Sequence, residues 1–390
     1  MRVLHVATNH PWTDNRVHYR ECTSLACAGY DVTLIAATAD HAVPGPSPVK
    51  LVIVPRHRLR WRMLIAPGRA VLESVKRHAH IVHLHDPELV FAIPVLRILG
   101  MKVIFDAHED YRVSFLSWLH QPWHRRAILS VLGRVIVFLG GLATHVIAAT
   151  ETIAVRYPTR RVSILHNYPP LSRLAESSTP IHQRSKTVIY IGGFSDARGI
   201  HQMIDATHHA LWPSDWTLVV AGPGSGNLRT ELSNTISHPR VRYLGLLPPQ
   251  EARALLDDAR VGLCVFQDTA AHRDALPTKV FEYLEAGLPV IVSNFPLWRT
   301  LFNQCGTFVN QESSMEIARA VAAYDQDARL LETHATKAHH LAITQFNWEH
   351  EVTCLLDVYQ MIARKHQPHQ HPHHPLGKAN LASESSSPGN

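Results

Sequence analysis

The sequence of 390 residues is 46% hydrophobic and 18% charged, which excludes disordered and fibrous proteins and leaves room for two or three domains. Its five cysteines form no CxxC pair, and no charged leader precedes the apolar run at Val3. We therefore expect no disulfide framework and no signal peptide, and place the chain in a reducing cytoplasm. Residues 1–180 carry 21 Lys and Arg against 12 Asp and Glu, a balance that suggests an anionic partner, with an ordinary solvated surface as the alternative.

Short β-rich runs alternate with helical stretches twice along the chain. Most of the runs are continuously apolar, as expected of strands covered on both faces. The first helical stretch, Asn15–Ala28, ends at Gly29, a typical C-terminal glycine. Two such series predict two facing, doubly wound, parallel α/β domains of Rossmann-like form. The predicted strands are Val3–Ala7, Val32–Ala37, Leu51–Val54, Ile81–His85, Lys102–Asp106, His145–Ala149, Val162–His166, Thr187–Ile191, Thr217–Ala221, Val241–Leu244, Val261–Val265, Pro289–Ser293 and Thr307–Val309.

The pattern lapses at two places, which mark the domain boundaries. The segment around Pro169, Pro170 and Pro180 has no periodicity and is the predicted linker. The end of the chain is rich in His, Pro and Ser and is predicted to be disordered. The predicted units are an N-terminal acceptor-binding domain over 1–167, the linker over 168–186, a donor-binding domain over 187–345, a last helix over 346–365 and the tail over 366–390.

A glycine-rich loop follows the predicted strand Thr187–Ile191. Its Gly193 allows backbone N–H groups to approach a phosphate, and Arg198 before Gly199 can clamp that phosphate with two donors. Taken alone, a turn with a surface arginine would have the same sequence. The loop is therefore a candidate phosphate site that needs support from elsewhere in the chain.

The segment from Asp274 to Ser293 carries a more specific pattern. Pro277 suits a first helical turn, so the free N–H groups near Thr278 and Lys279 would point at an anion. Glu282 lies four residues after Thr278 and three after Lys279, so it shares their helix face. A carboxylate there suits the hydroxyls of a ribose. The alternative is a surface pair between Lys279 and Glu282.

This segment resembles the E-x7-E region of retaining GT-B glycosyltransferases of the family-four type, which includes many enzymes of bacterial polysaccharide and lipid-linked glycan synthesis. The resemblance spans Met1 to about Lys365. It implies the GT-B fold, with a C-terminal helix returning toward the N-terminal domain. It also implies transfer of a sugar from a UDP- or GDP-sugar to an acceptor hydroxyl, with retention and without a metal or other cofactor. The other matching pieces are His10–Arg16, Glu21, Ser24-Leu25, Gly29-Tyr30, His85–Leu89, Asp106–Asp110, His166-Asn167, Gly222–Gly224, Gly245 and Trp348-Glu349.

The resemblance also implies roles for individual residues. The family's second glutamate falls on Glu282, expected at the ribose, and its first falls on Asp274, a shorter side chain near the donor sugar. The histidine that lines the sugar site falls on His108. The basic residue of the phosphate loop falls on Arg198, whereas Phe194 stands where a second basic residue is common. The catalytic residues are thus His108, Asp274 and Glu282, and the donor-binding residues are Gly193, Arg198, Gly199, Thr278, Lys279 and Glu282.

The N-terminal domain is expected to hold the acceptor. Asp14, Arg16 and Glu21 lie in or after the first loop and are the acceptor-side candidates. Arginines mix with tryptophan in 56–63 and again in 118–126, a composition that suits anionic lipid headgroups. We therefore expect peripheral association with the inner face of the cell membrane and a glycan or lipid-linked acceptor, with a soluble basic surface as the alternative.

Other functions fit the sequence less well. A dinucleotide-dependent oxidoreductase needs G-x-G-x-x-G after its first strand, and the loop 8–14 contains no glycine. No recognised nucleic-acid-binding module appears, so no nucleic-acid partner is expected. Two alternatives remain: a nucleoside-diphosphate-sugar epimerase of the same architecture, and an inactive donor-binding subunit, which the departures at Phe194 and Asp274 would explain.

Overall fold

Two parallel β-sheets organise the chain. A computed structural model describes residues 1–38, 45–56, 58–114, 122–171, 179–224 and 239–364. The first sheet has the order β3-β2-β1-β4-β5-β6-β7 and the second β10-β9-β8-β11-β12-β13. The strands are β1 Arg2–Pro11, β2 Asp31–Ala37, β3 Lys50–Val54, β4 Ile81–Leu84, β5 Lys102–Ala107, β6 His145–Ala148, β7 Val162–Ile164, β8 Thr187–Ile191, β9 Thr217–Ala221, β10 Val241–Tyr243, β11 Val261–Cys264, β12 Val290–Ser293 and β13 Gly306–Val309.

Helices cover both faces of each sheet, so the central strands are almost entirely buried and mostly apolar, whereas the edge strands β3, β7, β10 and β13 are only partly buried. Short 3-10 turns lie at Pro87–Ala92, Thr159–Arg161, Ile181–Gln183 and Asp196–Arg198. The α-helices are α1 Thr23–Cys27, α2 Leu59–Lys76, α3 Ile93–Ile98, α4 Tyr111–Ser114, α5 Trp123–Gly140, α6 Glu151–Ala154, α7 Ile200–His208, α8 Pro249–Asp258, α9 Ala270–Arg273, α10 Thr278–Glu285, α11 Pro296–Phe302, α12 Ser314–Gln326, α13 Ala328–Thr344 and α14 Trp348–Arg364. Among the described residues, none of these helices is both long enough and apolar enough to cross a membrane.

The order of strands fixes where a ligand binds. In each sheet the chain reverses its direction of winding beside the first strand, between β1 and β4 and between β8 and β11. Ligands of open α/β sheets bind outside the carboxyl ends of the strands at such a reversal. The two reversal points carry the loops after β1 and β8, which hold the candidate acceptor and phosphate residues.

The last helix, α14, packs against the first domain, as the resemblance implied. Leu355 and Tyr359 of α14 are buried in the same core as Val3 and Leu34. The Trp348 indole N–H donates to Ser24 Oγ at 2.9 Å. The predicted GT-B arrangement is therefore confirmed. The predicted tail, 366–390, and residues 172–178 of the predicted linker lie outside the described residues.

The helix expected over Asn15–Ala28 differs from the prediction. Residues Asn15–Cys22 form a π-helix, in which the Tyr19 N–H reaches the Asp14 carbonyl at 3.4 Å, and only Thr23–Cys27 is α-helical. Asp14 caps the π-helix by accepting from Val17 N at 2.9 Å. The wider turn buries the side chains of Arg16, Arg20 and Glu21. In an α-helix Arg16 and Arg20 would share one face, whereas Glu21 would lie about 140° around the helix from Arg16.

Candidate active site

A cavity of about 810 Å³ lies between the two domains. His108 lines it from the first domain, and Asp274 and Thr278 line it from the second. Asn167 and Tyr168, at the start of the linker, form part of its wall. Two of the three predicted catalytic residues therefore face one another across a shared space, although they are 166 positions apart in the sequence.

The glycine loop after β8 holds Arg198 by its backbone. Arg198 Nη1 donates to the Gly193 carbonyl at 2.6 Å, and the Tyr190 hydroxyl donates to the same oxygen at 2.8 Å. Gly199 has φ +70°, and a Cβ there would lie 2.0 Å from the carbonyl oxygen of Val265. A glycine is thus required at 199, and it fixes Arg198 at the start of α7.

Lys279 occupies the same corner of the second domain. Its Nζ lies 3.6 Å from the centre of the Tyr190 ring and 5.2 Å from that of Phe266. This Nζ is buried and has no hydrogen-bond acceptor. Burial, followed by the charge of Arg198, lowers the pKa of Lys279 to about 8. A buried ammonium without an acceptor is stabilised by an anion that binds beside it.

Phe194, which stands where the resembled family commonly has a basic residue, is part of the hydrophobic core. The Phe194 ring is 2% exposed and meets the Tyr243 ring edge-on at 5.5 Å. Phe194 therefore packs in the core and supplies no charge to the phosphate loop. Lys279, which reaches the neighbouring Gly192 from α10, places a cation at the loop instead: a Cβ on Gly192 would lie 3.2 Å from its Nζ.

Glu282 is paired across the domain boundary. Its Oε1 lies 3.9 Å from Nη2 of Arg20, which belongs to the π-helix of the first domain. Burial raises the pKa of Glu282, and the charge of Arg20 opposes that rise. Arg20 Nη1 also donates to the Asn167 carbonyl at 3.0 Å, and Asn167 Nδ2 donates to Thr278 Oγ1 at 3.4 Å. Arg20 was not a predicted site residue, and Asn167 was predicted only within the matching piece His166-Asn167. A basic residue four positions after Arg16 was the available signal.

His108 is anchored to a buried ion pair. Its Nε2 lies 2.9 Å from Asp106 Oδ2. Arg16 contacts both Asp106 oxygens, at 3.0 and 2.9 Å, and donates to the Leu165 carbonyl at 2.8 Å. Burial alone would raise the pKa of Asp106, but Arg16 and then His108 outweigh it and hold that pKa well below its usual range. Asp106 is therefore an anion, and it orients a histidine in the cavity wall.

The acceptor-side candidates are mostly structural. Asp14 caps the π-helix. Glu21 is fully buried beneath Arg16, with its Oε1 3.0 Å from Arg16 Nε, and does not reach the cavity surface. Arg16 lines the cavity, but its donors are committed to Asp106 and Leu165. The prediction that Glu21 lies on the acceptor side of the site is corrected: its side chain is fully buried, and burial, followed by the charge of Asp106, raises the pKa of Glu21 well above its usual range.

Histidine and carboxylate side chains form two groups that could hold a metal ion in the described part of the chain. One consists of His5, Glu21, His83 and His85, and the other of His85, Asp106 and His108. The rings of His83 and His85 are stacked at 4.4 Å, and several ring nitrogens are already within hydrogen-bond distance of each other or of Tyr359. Stacked rings do not direct their lone pairs at one point, so the first group suits a hydrogen-bonded network better than a metal. In the second group the guanidinium of Arg16 already contacts both oxygens of Asp106, and this cation would repel a metal ion there.

Apart from Asp14 and Glu21, the predicted site residues lie in two adjoining groups. His108, Asp274, Thr278 and Arg16 line the cavity. The others lie in the loop after β8 or on α10, and we call this second group the phosphate corner after the ligand predicted for it. Thr278, at the start of α10, borders the cavity, and the next residue, Lys279, belongs to the phosphate corner. The second group comprises Gly193, Arg198, Gly199, Lys279 and Glu282.

A known protein family matches most of the second domain. The model described as Glycosyl transferases group 1 matches residues 185–327. These residues form a glycosyl transferases group 1 domain. The group 1 domain contains β8 to β13, the glycine loop and α10, and so all the residues of the phosphate corner.

One curated relative and several solved structures extend the comparison. The chain is 27% identical over 107 residues to TuaH of Bacillus subtilis (strain 168), whose name assigns it to teichuronic acid biosynthesis as a glycosyltransferase. The match covers 27% of this chain and 26% of TuaH, so the chain spans about a quarter of that relative's length.

The solved structures are similar over both domains. Sucrose-phosphate synthase from Thermosynechococcus elongatus has a TM-score of 0.73 at 15% identity, covering 94% of this chain and 100% of the other. HepE from Anabaena in complex with UDP-glucose has a TM-score of 0.67 at 14% identity, covering 94% and 99%. An E. coli trehalose-6-phosphate structure bound with UDP-2-fluoro glucose has a TM-score of 0.68 at 12% identity, covering 92% and 99%. At these identities the similarity shows the fold, and it extends beyond the group 1 domain.

Proposed function

We propose that this chain is a retaining glycosyltransferase that moves a sugar from a UDP- or GDP-sugar to a hydroxyl of a glycan or lipid-linked glycan. The observation that carries the proposal is the Lys279 ammonium, buried without an acceptor beside Arg198 in a group 1 domain. That pair of cations matches the two negative charges on the diphosphate of a nucleoside-diphosphate sugar. The names of TuaH and of the UDP-sugar complexes support the same chemistry.

The site can stabilise a departing diphosphate. Charge develops on the phosphate oxygen as the glycosidic bond breaks, and Arg198, Lys279 and the first amides of α10 are placed to receive it. One such donor is worth about 2.7–4 kcal/mol in the transition state. We propose that these groups do this without a metal ion, while Glu282 holds the ribose hydroxyls and His108 contacts the sugar.

Retention follows from attack on the face that the diphosphate leaves. The acceptor hydroxyl bonds to the anomeric carbon, the bond to the phosphate oxygen breaks, and the hydroxyl proton passes to that oxygen. No side chain has to act as the base. Asp274 lines the cavity opposite His108, where a carboxylate can bind a donor-sugar hydroxyl.

Calorimetric titration of UDP and GDP tests the donor site. Lys279→Met is expected to weaken binding of the preferred nucleotide at least about tenfold, because a charged hydrogen bond contributes about 1.5–3 kcal/mol. The matched control is Lys337→Met, which removes an exposed lysine of α13. Wild-type protein that binds neither nucleotide, or a Lys279→Met variant that binds as well as the control, would contradict the proposal.

NMR of the reaction separates transfer from its alternatives. The first product formed from an α-linked UDP-sugar should carry an α-anomeric proton, whether the acceptor is a glycan or water. Interconversion of the donor sugar without loss of nucleotide would identify an epimerase. Nucleotide binding without any turnover across a panel of sugars and acceptors would identify an inactive donor-binding subunit.

We also propose that the first domain rests on the inner face of an anionic membrane, where a lipid-linked acceptor would lie. α2, the 3-10 turn Pro87–Ala92, α3 and α5 form one outer layer of that domain. Few acidic side chains lie in this layer, whereas arginines recur along it. Its exposed large apolar side chains are Trp61, Leu64, Ile65, Leu72, Val75, Phe91, Val95, Ile98, Leu99, Trp123, Ile128, Val131 and Phe138.

Apolar and cationic side chains together are what an interface with anionic lipid needs, and each basic residue near such a surface contributes about 1 kcal/mol. The basic segment 56–63 divides in the structure: Arg62 turns inward to Glu88 at 2.9 Å, whereas Trp61 is exposed. His57 and Trp118 lie outside the described residues. The exposed helices therefore carry the proposal better than the segment does.

Flotation with vesicles of three parts phosphatidylcholine and one part phosphatidylglycerol tests the membrane face. Ile128→Asp with Phe138→Asp is expected to abolish co-flotation, whereas Ile343→Asp, on an exposed site of α13, should leave it unchanged. Binding that is equal for both variants, or absent from the wild type, would contradict membrane association while leaving sugar transfer untouched.

A further inference from the structure

A chain of buried imidazoles runs from the cavity wall to the last helix. His85 Nδ1 lies 3.3 Å from Asp106 Oδ2, beside His108 Nε2, and His85 Nε2 lies 2.9 Å from His5 Nδ1. His5 Nε2 then lies 3.2 Å from the Tyr359 hydroxyl, which lies 2.9 Å from His83 Nδ1. His5, His83, His85 and Asp106 are fully buried. No catalytic role assigned above uses this chain.

The charge of Asp106 fixes which atom donates at every step. A neutral imidazole has one N–H and one lone pair, and a lone pair on His85 Nδ1 would face a carboxylate that is already an anion. His85 Nδ1 must therefore carry the proton and donate to Asp106. Its Nε2 is then an acceptor, so His5 must donate from Nδ1.

The same reasoning continues to the far end of the chain. His5 Nε2 becomes an acceptor, so the Tyr359 hydroxyl donates to it and accepts from His83 Nδ1–H. His83 Nε2 is left as a bare lone pair, and this atom is indeed buried without a hydrogen-bond partner. Burial, with help from neighbouring rings, lowers the pKa values of His5, His83 and His85, which keeps these rings neutral as the scheme requires.

Asp106 imposes the same constraint on His108. Arg16 Nε, His85 Nδ1 and His108 Nε2 converge on one carboxylate oxygen, Oδ2 of Asp106, at 3.0, 3.3 and 2.9 Å. His108 is held by its Nε2, so that nitrogen carries the proton. The other ring nitrogen, Nδ1, is left with its lone pair.

We propose that Asp106 is a positioning residue that locks His108 in the Nε2–H tautomer, so that His108 meets the donor sugar through Nδ1 as a hydrogen-bond acceptor. This inference rests on the proposed sugar transfer for its function, but not for its geometry. It selects donors that present a hydroxyl proton to His108, and it prevents a neutral His108 from giving a proton to the leaving group.

Proton–nitrogen correlation NMR of histidine-labelled protein at pH 8, without ligand, tests the tautomer directly. The His108 signal, assigned by its loss in His108→Gln, is expected to show a protonated Nε2 and an unprotonated Nδ1. A signal with Nδ1 protonated, or with both nitrogens protonated, would overturn the proposal. Because no substrate is present, a protein that transfers no sugar can still pass this test, so the two proposals fail separately.

Two variants separate positioning from a structural role. Asp106→Asn is expected to populate the Nδ1–H tautomer of His108 and to lower kcat at least about 100-fold, with a smaller change in KM for the donor. Tyr359→Phe, at the far end of the same chain, should leave the His108 tautomer unchanged, because Asp106 sets it. A changed tautomer in Tyr359→Phe, or an unchanged one in Asp106→Asn, would contradict the assignment; if Asp106→Asn does not fold, the wild-type spectrum decides.

Discussion

Arg20 Nη2 lies 3.9 Å from Glu282 Oε1, so the residue expected to hold the ribose is paired with a cation from the opposite domain. The arginine is also held by the Asn167 carbonyl, at the start of the linker. The charge state of Glu282 is therefore set partly by the first domain. A motion that separates the domains would remove Arg20 from Glu282 and so raise the pKa of Glu282.

Arg20→Met is expected to shift the pH dependence of nucleotide binding. Burial raises the pKa of Glu282 and Arg20 is the main charge that lowers it, so removing Arg20 raises that pKa further. We propose that the ionised Glu282 carboxylate accepts hydrogen bonds from the ribose. As the pH is lowered, UDP affinity should therefore begin to fall at a higher pH in the variant than in the wild type. UDP titrations between pH 5 and 8 measure the shift, with Arg319→Met, which replaces an exposed side chain of α12, as the control. Superimposable pH profiles for Arg20→Met and the wild type would refute the prediction.

Lys279→Met is expected to stabilise the protein while it weakens nucleotide binding. The pKa of Lys279 lies near 8 in the fold against 10.5 for the free side chain, so the folded state disfavours the charged form. Removing that charge should raise the free energy of unfolding by about 1–3 kcal/mol at pH 7. Denaturant titration checks the result, and a loss of stability would show that Lys279 has an internal partner.

The same shift predicts how wild-type stability depends on pH. Between pH 8 and 10.5 the unfolded chain binds the Lys279 proton and the folded chain does not, so this lysine makes stability increase with pH in that window. The contribution is absent from Lys279→Met. We expect the difference in unfolding free energy between variant and wild type to shrink as the pH rises from 8 to 10.5; a constant difference would contradict the assignment.

Gly199→Ala and Gly245→Ala form a matched pair. Both glycines have φ near +70°, but only at Gly199 does a Cβ meet the Val265 carbonyl, at 2.0 Å, while the space around Gly245 is open. Gly245→Ala should cost about 1–2 kcal/mol from the backbone alone, and Gly199→Ala clearly more. Gly199→Ala should also weaken UDP binding by displacing Arg198. Equal losses of stability in thermal unfolding would contradict the close approach.

Asp274→Glu tests whether the shorter side chain replaces the glutamate that the family resemblance implies. Asp274 lines the cavity just after the end of α9, and a glutamate there would carry the same charge on a side chain one methylene longer. Asp274→Glu should therefore retain activity within about tenfold. Asp274→Asn removes the charge and should lower kcat by about 10²–10³-fold, the usual cost of one preorganised transition-state contact. Steady-state rates with the preferred nucleotide sugar decide; an active Asp274→Asn would remove Asp274 from the site.

The strands could be read from the sequence because a strand buried on both faces is a continuous apolar run. All thirteen predicted strands overlap observed ones, and β8 and β9 agree at both ends. That Gly193, Arg198 and Lys279 lie together was also predictable, since the first two lie in the loop and turn after β8 and Lys279 lies in the first turn of α10. In such places a short stretch of residues determines both the backbone and the ligand groups.

The residues that were missed act over long sequence separations. His5, His83 and His85 lie in strand-like runs, and nothing local indicates that β1 and β4 bring their rings together. The spacing of residues 15–28 predicts an α-helix, in which Glu21 lies away from the face of Arg16. The burial of Glu21 follows from the π-helix and is therefore not predicted by the sequence. These features depend on packing between elements, which a single sequence does not display.

The chain crosses between the domains at Pro169 and returns at Trp348. The backbone N–H of Trp348 donates to the Pro169 carbonyl at 2.9 Å. The group 1 domain is thus an insertion into the first domain, with its two ends side by side. Replacing the segment between these two points with the corresponding segment of a similar protein is expected to change the donor that we propose the second domain binds. The first domain would keep its own contacts with α14.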